Sequence, residues 1–334
     1  MRAPEFWHEP PGLIAGLLTP FGIAFDAASR LRRAVARAYR PPVPVICVGN
    51  LVAGGSGKTP VVLSLAGILA RRRIAVHIVS RGYGGRLAGP VRVDERLHEA
   101  AEVGDEPLLL AAQAPCWVAR DRAAGVRAAV SAGAEAVLLD DGFQNPGIAK
   151  DLSLVVVDAG YGFGNRRVIP AGPLREPVGA GLARADAMIV IGSEAEAHPV
   201  GAAGSPSVAA ELCPTDGERF AGAHVVAFAG IGRPEKFFDS LRALGANIVS
   251  TEPFPDHHPF QQREIARLHE TARREGARLV TTAKDWVRLP HTLRAGIEVL
   301  DVEIRWRDAE AVERLLSGVL SRCHDRRDPG ADRG

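Results

Sequence analysis

One glycine-rich segment constrains this chain more than any other feature of its sequence. It consists of Gly54, Gly55, Ser56, Gly57, Lys58 and Thr59. An apolar, β-branched run at 43–48 precedes it, and a helical pattern at 58–73 follows it. Glycines let the backbone curl so that its N–H groups face an anion, and the start of a helix adds positive potential. The segment therefore predicts a phosphate-binding loop.

Lys58 and Thr59 carry the chemistry expected of such a loop. In a phosphate loop the lysine reaches the β- and γ-phosphates and the hydroxyl binds Mg²⁺. The strict pattern GxxxxGK[ST] requires glycine at position 52, where this chain has Val52. The alternative is a glycine-rich turn that binds nothing. Because Lys58 is one of only four lysines in the chain, its position favours the phosphate loop.

An acidic pair, Asp140 and Asp141, follows the apolar run 136–139. A phosphate-loop enzyme needs a carboxylate near Mg²⁺, at the end of a second buried strand. The carboxyl ends of parallel strands meet at one edge of a sheet, so this pair is expected beside the phosphate loop. The alternative is two aspartates that only cap a turn.

Strand-like and helical segments alternate along the chain, which predicts an α/β fold. We expect a P-loop NTPase-like, mostly parallel sheet with helices on both faces, plus a second smaller α/β domain. A stretch rich in Gly, Pro and Ala at 192–222 marks the junction. The predicted strands after it are 224–229, 247–250, 278–282 and 297–304. The predicted regions are an amphipathic helical part of the first domain at 1–40, the P-loop domain at 41–215, the smaller domain at 216–322 and a disordered tail at 323–334.

Composition excludes several classes of protein. The formal net charge is only +2, so no nucleic-acid partner is expected. The four cysteines form no CxxC pair, which favours a reducing compartment without a disulfide framework or zinc site. No run of 18 apolar residues occurs, and Pro20 interrupts the apolar run at 13–25. Neither a membrane-spanning helix nor a signal peptide is therefore expected.

Apolar residues recur at helical spacing near the N-terminus, and a cluster of arginines follows them. The apolar positions are Leu13, Ile14, Leu17, Leu18, Phe21 and Phe25, and the arginines lie between 30 and 40. This order is typical of a helix that lies on an anionic membrane surface. The alternative is a helix packed on its own domain with a solvated basic end, because core helices have the same period.

Six motifs, which include the phosphate loop and the acidic pair, occur in one order along the chain. They are Gly-Gly-Ser-Gly-Lys-Thr-Pro at 54–60, Ser-Arg-Gly-Tyr-Gly-Gly at 80–85, Val-Gly-Asp-Glu-Pro at 103–107, Asp-Asp-Gly-Phe-Gln at 140–144, Gly-Pro-Leu-Arg-Glu at 172–176 and Phe-Pro-Asp-His-His at 254–258. With these motifs the chain resembles the tetraacyldisaccharide 4'-kinases, the lipid A 4'-kinases of Gram-negative bacteria. Ala-Gly-Ile-Gly at 229–232 and Thr-Thr-Ala-Lys-Asp at 281–285 extend the resemblance through the second domain.

The resemblance implies a peripheral enzyme on the cytoplasmic face of the inner membrane. It implies Mg²⁺-dependent transfer of the γ-phosphoryl group of ATP to the 4'-hydroxyl of a tetraacylated glucosamine disaccharide 1-phosphate, which gives lipid IV-A. It also implies two α/β/α domains with the active site in the cleft between them. The expected partners are the lipid substrate and the membrane surface, without an obligate protein partner.

Residue roles follow from the resemblance, motif by motif. Lys58 would hold the β- and γ-phosphates, Thr59 the magnesium ion, and Asp140 and Asp141 would serve the metal. Asp105 would accept the proton of the 4'-hydroxyl, and His257 of the second domain would pair with it. The adjacent His258 is the alternative partner. From position alone, Asp105 also suits the N-cap of a helix.

Other motif residues are expected to line the site without a defined role. These are Arg81, Gln144 and Glu176. At position 145, where the family usually has histidine, this chain has Asn145, and no role is assigned to it.

Two other classes of nucleotide-binding protein share part of this pattern. A membrane-associated P-loop ATPase that acts as a switch through a protein partner carries a lysine just before the paired glycines, where this chain has Ala53. A GTPase for metal insertion would need a cluster rich in His or Cys, which the sequence lacks.

Overall fold

The computed structural model describes residues 4–192 and 206–327, with side chains as far as residue 322. Numbered along the chain, nine strands form a large sheet: β1 Val45–Gly49, β2 Val76–Ser80, β3 Val91–Arg92, β4 Cys116–Val118, β5 Ala136–Asp140, β6 Leu152–Asp158, β7 Ala187–Ile191, β8 Ser207–Pro214 and β13 Val302–Trp306. Four strands form a small sheet: β9 His224–Ala229, β10 Asn247–Pro253, β11 Arg278–Thr282 and β12 Ile297–Leu300.

The helices cover both sheets. They are α1 Leu13–Val35, α2 Lys58–Arg71, α3 Ala100–Val103, α4 Asp105–Ala111, α5 Arg122–Ser131, α6 Val178–Leu182, α7 Pro234–Ala243, α8 Gln262–Arg274, α9 Ala283–Arg288 and α10 Ala309–Arg327. Each sheet has an apolar cluster on both faces, as expected for strands that are apolar throughout. The predicted fold class is confirmed.

Strand order places the phosphate loop at the centre of the large sheet. The order is β13-β8-β7-β6-β1-β5-β2-β4-β3, so β1 lies between β5 and β6 and is parallel to both. Among the described strands of this sheet, β3 and β13 at the edges run antiparallel to their neighbours and the others run parallel. In such a sheet, ligands bind beyond the carboxyl ends of the strands. The ends of β1, β5 and β2 therefore meet at one edge.

The small sheet has the order β10-β9-β11-β12 and is parallel throughout. It brings the loops after β9 and β10 and the start of α9 to one edge. That edge faces α4 of the first domain, so the two sheets have a cleft between their strand ends.

The predicted boundary of the second domain at residue 322 is wrong. The apolar run 297–304, predicted as one strand, forms β12 of the small sheet and β13 of the large sheet, with Asp301 between them. β13 pairs with β8, and α10 then buries Val312, Leu316 and Val319 in the large domain's core. An apolar run shows that a strand is buried, but it does not show which sheet the strand joins.

Two smaller differences concern segments predicted to lack regular structure. β8 lies in the predicted junction, where Val208 and Ala210 are buried and alternate with exposed residues, as in a strand with one buried face. The predicted disordered tail from residue 323 is wrong as far as Arg327, because α10 continues to that residue. Residues 328–334 lie outside the described part of the chain.

Helix α1 presents its large apolar side chains to solvent. Leu13, Leu17 and Phe21 are 90%, 76% and 64% exposed. The small Ala15 and Gly22 face the protein, and a Cβ at Gly22 would lie 2.8 Å from the carbonyl oxygen of Val168. Pro20 lies inside the helix without ending it. None of the described helices has both the length and the apolar character needed to cross a membrane.

Candidate active site

The glycine-rich segment forms a tight loop between β1 and α2. Gly57 has a left-handed conformation with φ of +79°, and a Cβ there would lie 2.6 Å from Cδ1 of Ile191. Lys58 is the first residue of α2, and the half-buried Thr59 is the second. The Lys58 side chain is 9% exposed, and its Nζ lies 3.7 Å from Oδ1 of Asp141. The loop therefore places a cation and a helix N-terminus beside the end of β5.

Asp140 is buried at the end of β5 with one carboxylate oxygen unpartnered. Its Oδ2 accepts a hydrogen bond from Oγ of Ser80 at 2.9 Å, while Oδ1 has no partner among the described residues. Burial, together with the charges of Glu106 and Asp141, raises the pKa of Asp140 to about 7. The charge of Lys58 and the hydrogen bond from Ser80 favour the ionised form, but they do not outweigh burial.

Asp141 differs from its neighbour because cations surround it. Nη1 of Arg175 lies 2.8 Å from Oδ1 of Asp141, which also faces Lys58. Burial opposes ionisation of Asp141, but Lys58 and Arg175 outweigh burial and lower the pKa of this carboxyl. The backbone at Asp141 has φ of +51°, which turns the chain sharply after β5.

The site fits Mg²⁺ bound together with a nucleotide. A divalent cation would satisfy the unpartnered oxygen of Asp140, and its charge would offset the burial that raises the pKa of this carboxyl. Mg²⁺ is usually held by one or two carboxylates, with phosphate oxygens and water completing its coordination. No group of three or more His, Cys, Asp or Glu side chains that could hold a metal ion by itself occurs in the described ranges.

Asp105 and His257 meet across the cleft between the domains. Asp105 begins α4, and His257 lies in the turn after β10. Nδ1 of His257 lies 3.1 Å from Oδ2 of Asp105, which requires the Nδ1-protonated ring for a hydrogen bond. His257 has φ of +58°, a conformation that non-glycine residues rarely adopt and that clusters at functional sites.

His258, the alternative partner of Asp105, faces its own domain. Its Nε2 lies 2.9 Å from Oε2 of Glu264 at the start of α8, and its ring stacks on Phe254. The structure therefore pairs His257, not His258, with Asp105.

Two further cations of the second domain surround Asp105. Nε of Arg288 donates to Oδ2 of Asp105 at 2.7 Å, and Nζ of Lys284 lies 3.9 Å from the same oxygen. Burial opposes ionisation of Asp105. The hydrogen bond from His257 and the charges of Lys284 and Arg288 outweigh it and hold the pKa of Asp105 well below its usual range.

A cavity of about 340 Å³ connects the acidic site to helix α1. Its lining from the sheet side includes Ser80, Arg81, Tyr83, Glu106, Asp140, Asp141, Gln144 and Arg175. From α1 it includes Phe25, Ser29, Arg32 and Arg33. One end of the cavity is therefore lined by carboxylates, and the other lies beside the exposed apolar helix.

Glu176 and Gln144 form a hydrogen bond to each other beside this cavity. Glu176 is fully buried, accepts a hydrogen bond from Nε2 of Gln144 at 3.2 Å and pairs with Arg184 at 2.5 Å. Asn145 accepts the backbone N–H of Gly147 at 2.8 Å, which is the contact of a turn residue.

Sequence reasoning assigned no role to four charged residues of this site. Glu106, Arg175 and Lys284 stand inside motifs already quoted, so attention to every charged motif residue would have found them. Arg288 lies outside those motifs. Its only signal is its position one helical turn after Asp285, and the structure was needed to show its contact with Asp105.

A phosphate loop after the central strand, an acidic residue at the end of β5 and a cleft closed by a second α/β domain define a P-loop phosphotransferase. The family model described as tetraacyldisaccharide-1-P 4'-kinase matches residues 14–321. The tetraacyldisaccharide 4'-kinase of Rhodospirillum centenum is 56% identical over 96% of this chain and 97% of its own length. The tetraacyldisaccharide 4'-kinase of Dinoroseobacter shibae is also 56% identical, over 96% of this chain and 98% of its own length.

A solved structure agrees with these relatives. The crystal structure described as an apo form of LpxK from Aquifex aeolicus in complex with ATP superposes with a TM-score of 0.76 at 28% identity, covering 92% of this chain and 100% of that one. The chain belongs to the tetraacyldisaccharide 4'-kinase family, as its motifs predicted.

Proposed function

We propose that this enzyme uses ATP and Mg²⁺ to phosphorylate the 4'-hydroxyl of a tetraacylated glucosamine disaccharide 1-phosphate at the cytoplasmic face of the inner membrane. Family membership supports the reaction. The observation that carries the assignment of the acceptor site is the contact between Asp105 and His257, next to the cavity that contains Asp140. This geometry supports the proposal that a phosphate site and a proton acceptor lie next to each other.

The residues of the first domain would hold the nucleotide. Lys58 and the loop N–H groups would bind the β- and γ-phosphates, while Thr59 and Asp140 would hold Mg²⁺. When bound, Mg²⁺ would neutralise charge on the phosphate oxygens. Asp141 would keep Lys58 and Arg175 in place, since it already contacts both.

Asp105 would accept the acceptor's proton late in the reaction. The 4'-oxygen forms a bond to the γ-phosphorus, the bond from that phosphorus to the β–γ bridging oxygen breaks, and ADP leaves. A carboxylate with a lowered pKa remains ionised, and the hydroxyl becomes strongly acidic as the new P–O bond forms. His257 would tune and orient Asp105 through the hydrogen bond that its Nδ1–H donates to Oδ2.

The decisive experiment follows the phosphate. The protein is incubated with γ-labelled ATP, Mg²⁺ and the disaccharide lipid in mixed micelles, and the label is located by chromatography. We expect label in the lipid and ADP in proportion to it. Lipid-independent release of labelled inorganic phosphate alone would contradict the proposal and favour an ATPase switch.

Helix α1 would bring the enzyme to the membrane. Its exposed side chains Leu13, Leu17 and Phe21 are followed by the arginines that begin at Arg30. Apolar side chains next to cations suit the interface of an anionic bilayer. The cavity that begins beside α1 would then open at the surface where an acylated substrate resides.

Three substitutions test membrane binding. The variant L13S/L17S/F21S should bind anionic liposomes about 10- to 100-fold more weakly, since three exposed apolar side chains are lost. Its affinity for ATP should be unchanged. The matched control is Leu97→Ser, because Leu97 is 75% exposed but lies in another part of the first domain. Equal liposome binding by the folded triple variant and the control would contradict the membrane role of α1.

A further inference from the structure

Arg288 connects three acceptors that come from different parts of the molecule. Its side chain is 5% exposed. Nε and Nη2 face Oδ2 of Asp105 in the first domain at 2.7 and 2.5 Å. Nη1 donates to the carbonyl oxygen of Gly230 at 2.6 Å and to Oδ1 of Asp285 at 2.9 Å, both in the second domain. The edge of the guanidinium formed by Nε and Nη2 thus contacts the first domain, and Nη1 contacts the second.

The second-domain side of this contact is rigid. Asp285 is fully buried, and Oγ1 of Thr282 donates to its Oδ2 at 2.7 Å while the N–H of Asp285 donates back to Thr282. Gly230 begins the loop after β9, and a Cβ there would lie 3.1 Å from the carbonyl oxygen of Pro255. Arg288 is therefore held by its own domain in a fixed orientation.

Asp105 receives His257 and Arg288 on the same oxygen. Oδ1 accepts the N–H of Glu106 at 2.9 Å, and Oδ2 faces both Nδ1 of His257 and Arg288. Nη2 of Arg288 also lies 3.3 Å from Nδ1 of His257. The guanidinium that contacts this oxygen is itself held by Gly230 and Asp285, so these contacts orient the carboxylate towards the imidazole.

We propose that Arg288 is a positioning residue for the reaction: it fixes the Asp105 carboxylate against His257 when the second domain meets the first. This inference rests on the proposed role of Asp105 as proton acceptor. A planar fork with fixed donor directions can hold three acceptors at once, whereas a lysine supplies a charge without that geometry. Lys284, at 3.9 Å from Asp105, would leave some positive charge if Arg288 were removed.

The first test separates turnover from binding. Arg288→Ala should lower kcat about 10- to 100-fold, while KM for ATP and for the lipid stays within about twofold, because the variant loses orientation of the proton acceptor. Arg288→Lys should recover only part of kcat. Added methylguanidinium should restore part of the activity of Arg288→Ala, and methylammonium should restore less.

A matched control excludes a general effect of lost charge. Arg267 is in the same domain and pairs with Glu252 at 2.7 Å on the exposed surface. Arg267→Ala should retain kcat within about twofold, as expected for an exposed ion pair.

The second test asks whether Arg288 acts through Asp105. In the Asp105→Asn background, Arg288→Ala should lower kcat by a much smaller factor than it does in the wild type. The same pair should be non-additive in thermal unfolding, a measurement that needs no turnover. Wild-type kcat in Arg288→Ala, or an equal loss in both backgrounds, would overturn the inference.

The outcomes distinguish this inference from the proposed function. Non-additive unfolding in a protein that never labels the lipid would overturn the function and leave the contact intact. Lipid labelling with additive unfolding and additive kcat losses would overturn the role of Arg288 alone.

Discussion

The two ends of the active site are built in different ways. The phosphate end lies in one domain, where Gly57, Lys58 and Asp140 stand on neighbouring strands and the first turn of α2. The acceptor end exists only where two domains meet, because Asp105 belongs to α4 and its partners His257 and Arg288 belong to the second domain. All the named residues of the phosphate end belong to one domain, whereas those of the acceptor end come together only where the two domains touch.

This difference bears on how hydrolysis of ATP without transfer to the acceptor would be limited. In the proposed mechanism a nucleotide would need only the first domain, whereas Asp105, the proposed proton acceptor, would be aligned only where the second domain contacts it. Closure of a cleft also excludes water from the reacting phosphate. If the two ends are separate, a substitution at one end should impair the function of that end and leave the function of the other end unchanged.

The largest effect is expected at the phosphate end. Lys58→Met should reduce kcat/KM by about 1,000-fold or more, because the lysine would contact charge that develops on the transferring group. ATP affinity should fall as well, which calorimetry measures. A variant that keeps both wild-type affinity and turnover would show that the loop does not hold the triphosphate.

At the acceptor end, binding and turnover should separate. Asp105→Asn should lower kcat by about 100- to 1,000-fold through loss of the proton acceptor, while ATP affinity stays near the wild-type value. Single-turnover labelling and calorimetry measure the two quantities. If ATP affinity fell in parallel with kcat, the two ends would not be separable in the way that their construction indicates.

The pH dependence of magnesium binding should report on Asp140. Its pKa of about 7 means that protons compete with the cation, so Mg²⁺ affinity should fall about tenfold for each pH unit below 7 and level off above it. Titrations at several pH values measure this. A profile that is flat between pH 5 and 8 would argue against Asp140 as a ligand.

The same group affects stability in the ligand-free protein. Because folding raises the pKa of Asp140 above its usual value near 3.8, its contribution to stability is present at low pH and is lost as the pH rises towards 7. Asp140→Asn should therefore melt a few degrees higher than the wild type at pH 8 while it loses Mg²⁺ affinity. An unchanged or lower melting temperature would contradict this sign.

The smallest effect is expected at a second contact between the domains. Asp158, at the end of β6, pairs with Arg233 and lies 3.3 Å from Nζ of Lys236, both of which are partly exposed. Asp158→Asn should change kcat by no more than about threefold, since exposed ion pairs contribute little. A loss as large as that of Arg288→Ala would mean that closure, and not the orientation of Asp105, limits turnover.

The sequence determined the phosphate end because its signals are local. A strand, a glycine turn and a helix start within a few residues fix the loop around Lys58, and the apolar run before Asp140 fixes the acidic strand end. The family motifs also selected Asp105 and His257. Local spacing could not choose between His257 and His258, because adjacent residues share one signal and only the turn with φ of +58° orients one of them to the cleft.

Tertiary structure decided what depends on distant pairing. The break at Asp301, which returns β13 and α10 to the large sheet, follows from which strand edge is available and not from the hydrophobicity of 297–304. Likewise, Arg288 meets Asp105 across 183 residues of chain, because an arginine on a short helix acquires a role only from what folding places opposite it. The chain thus encodes its phosphate loop in one segment, while the acceptor side arises only from the packing of two domains.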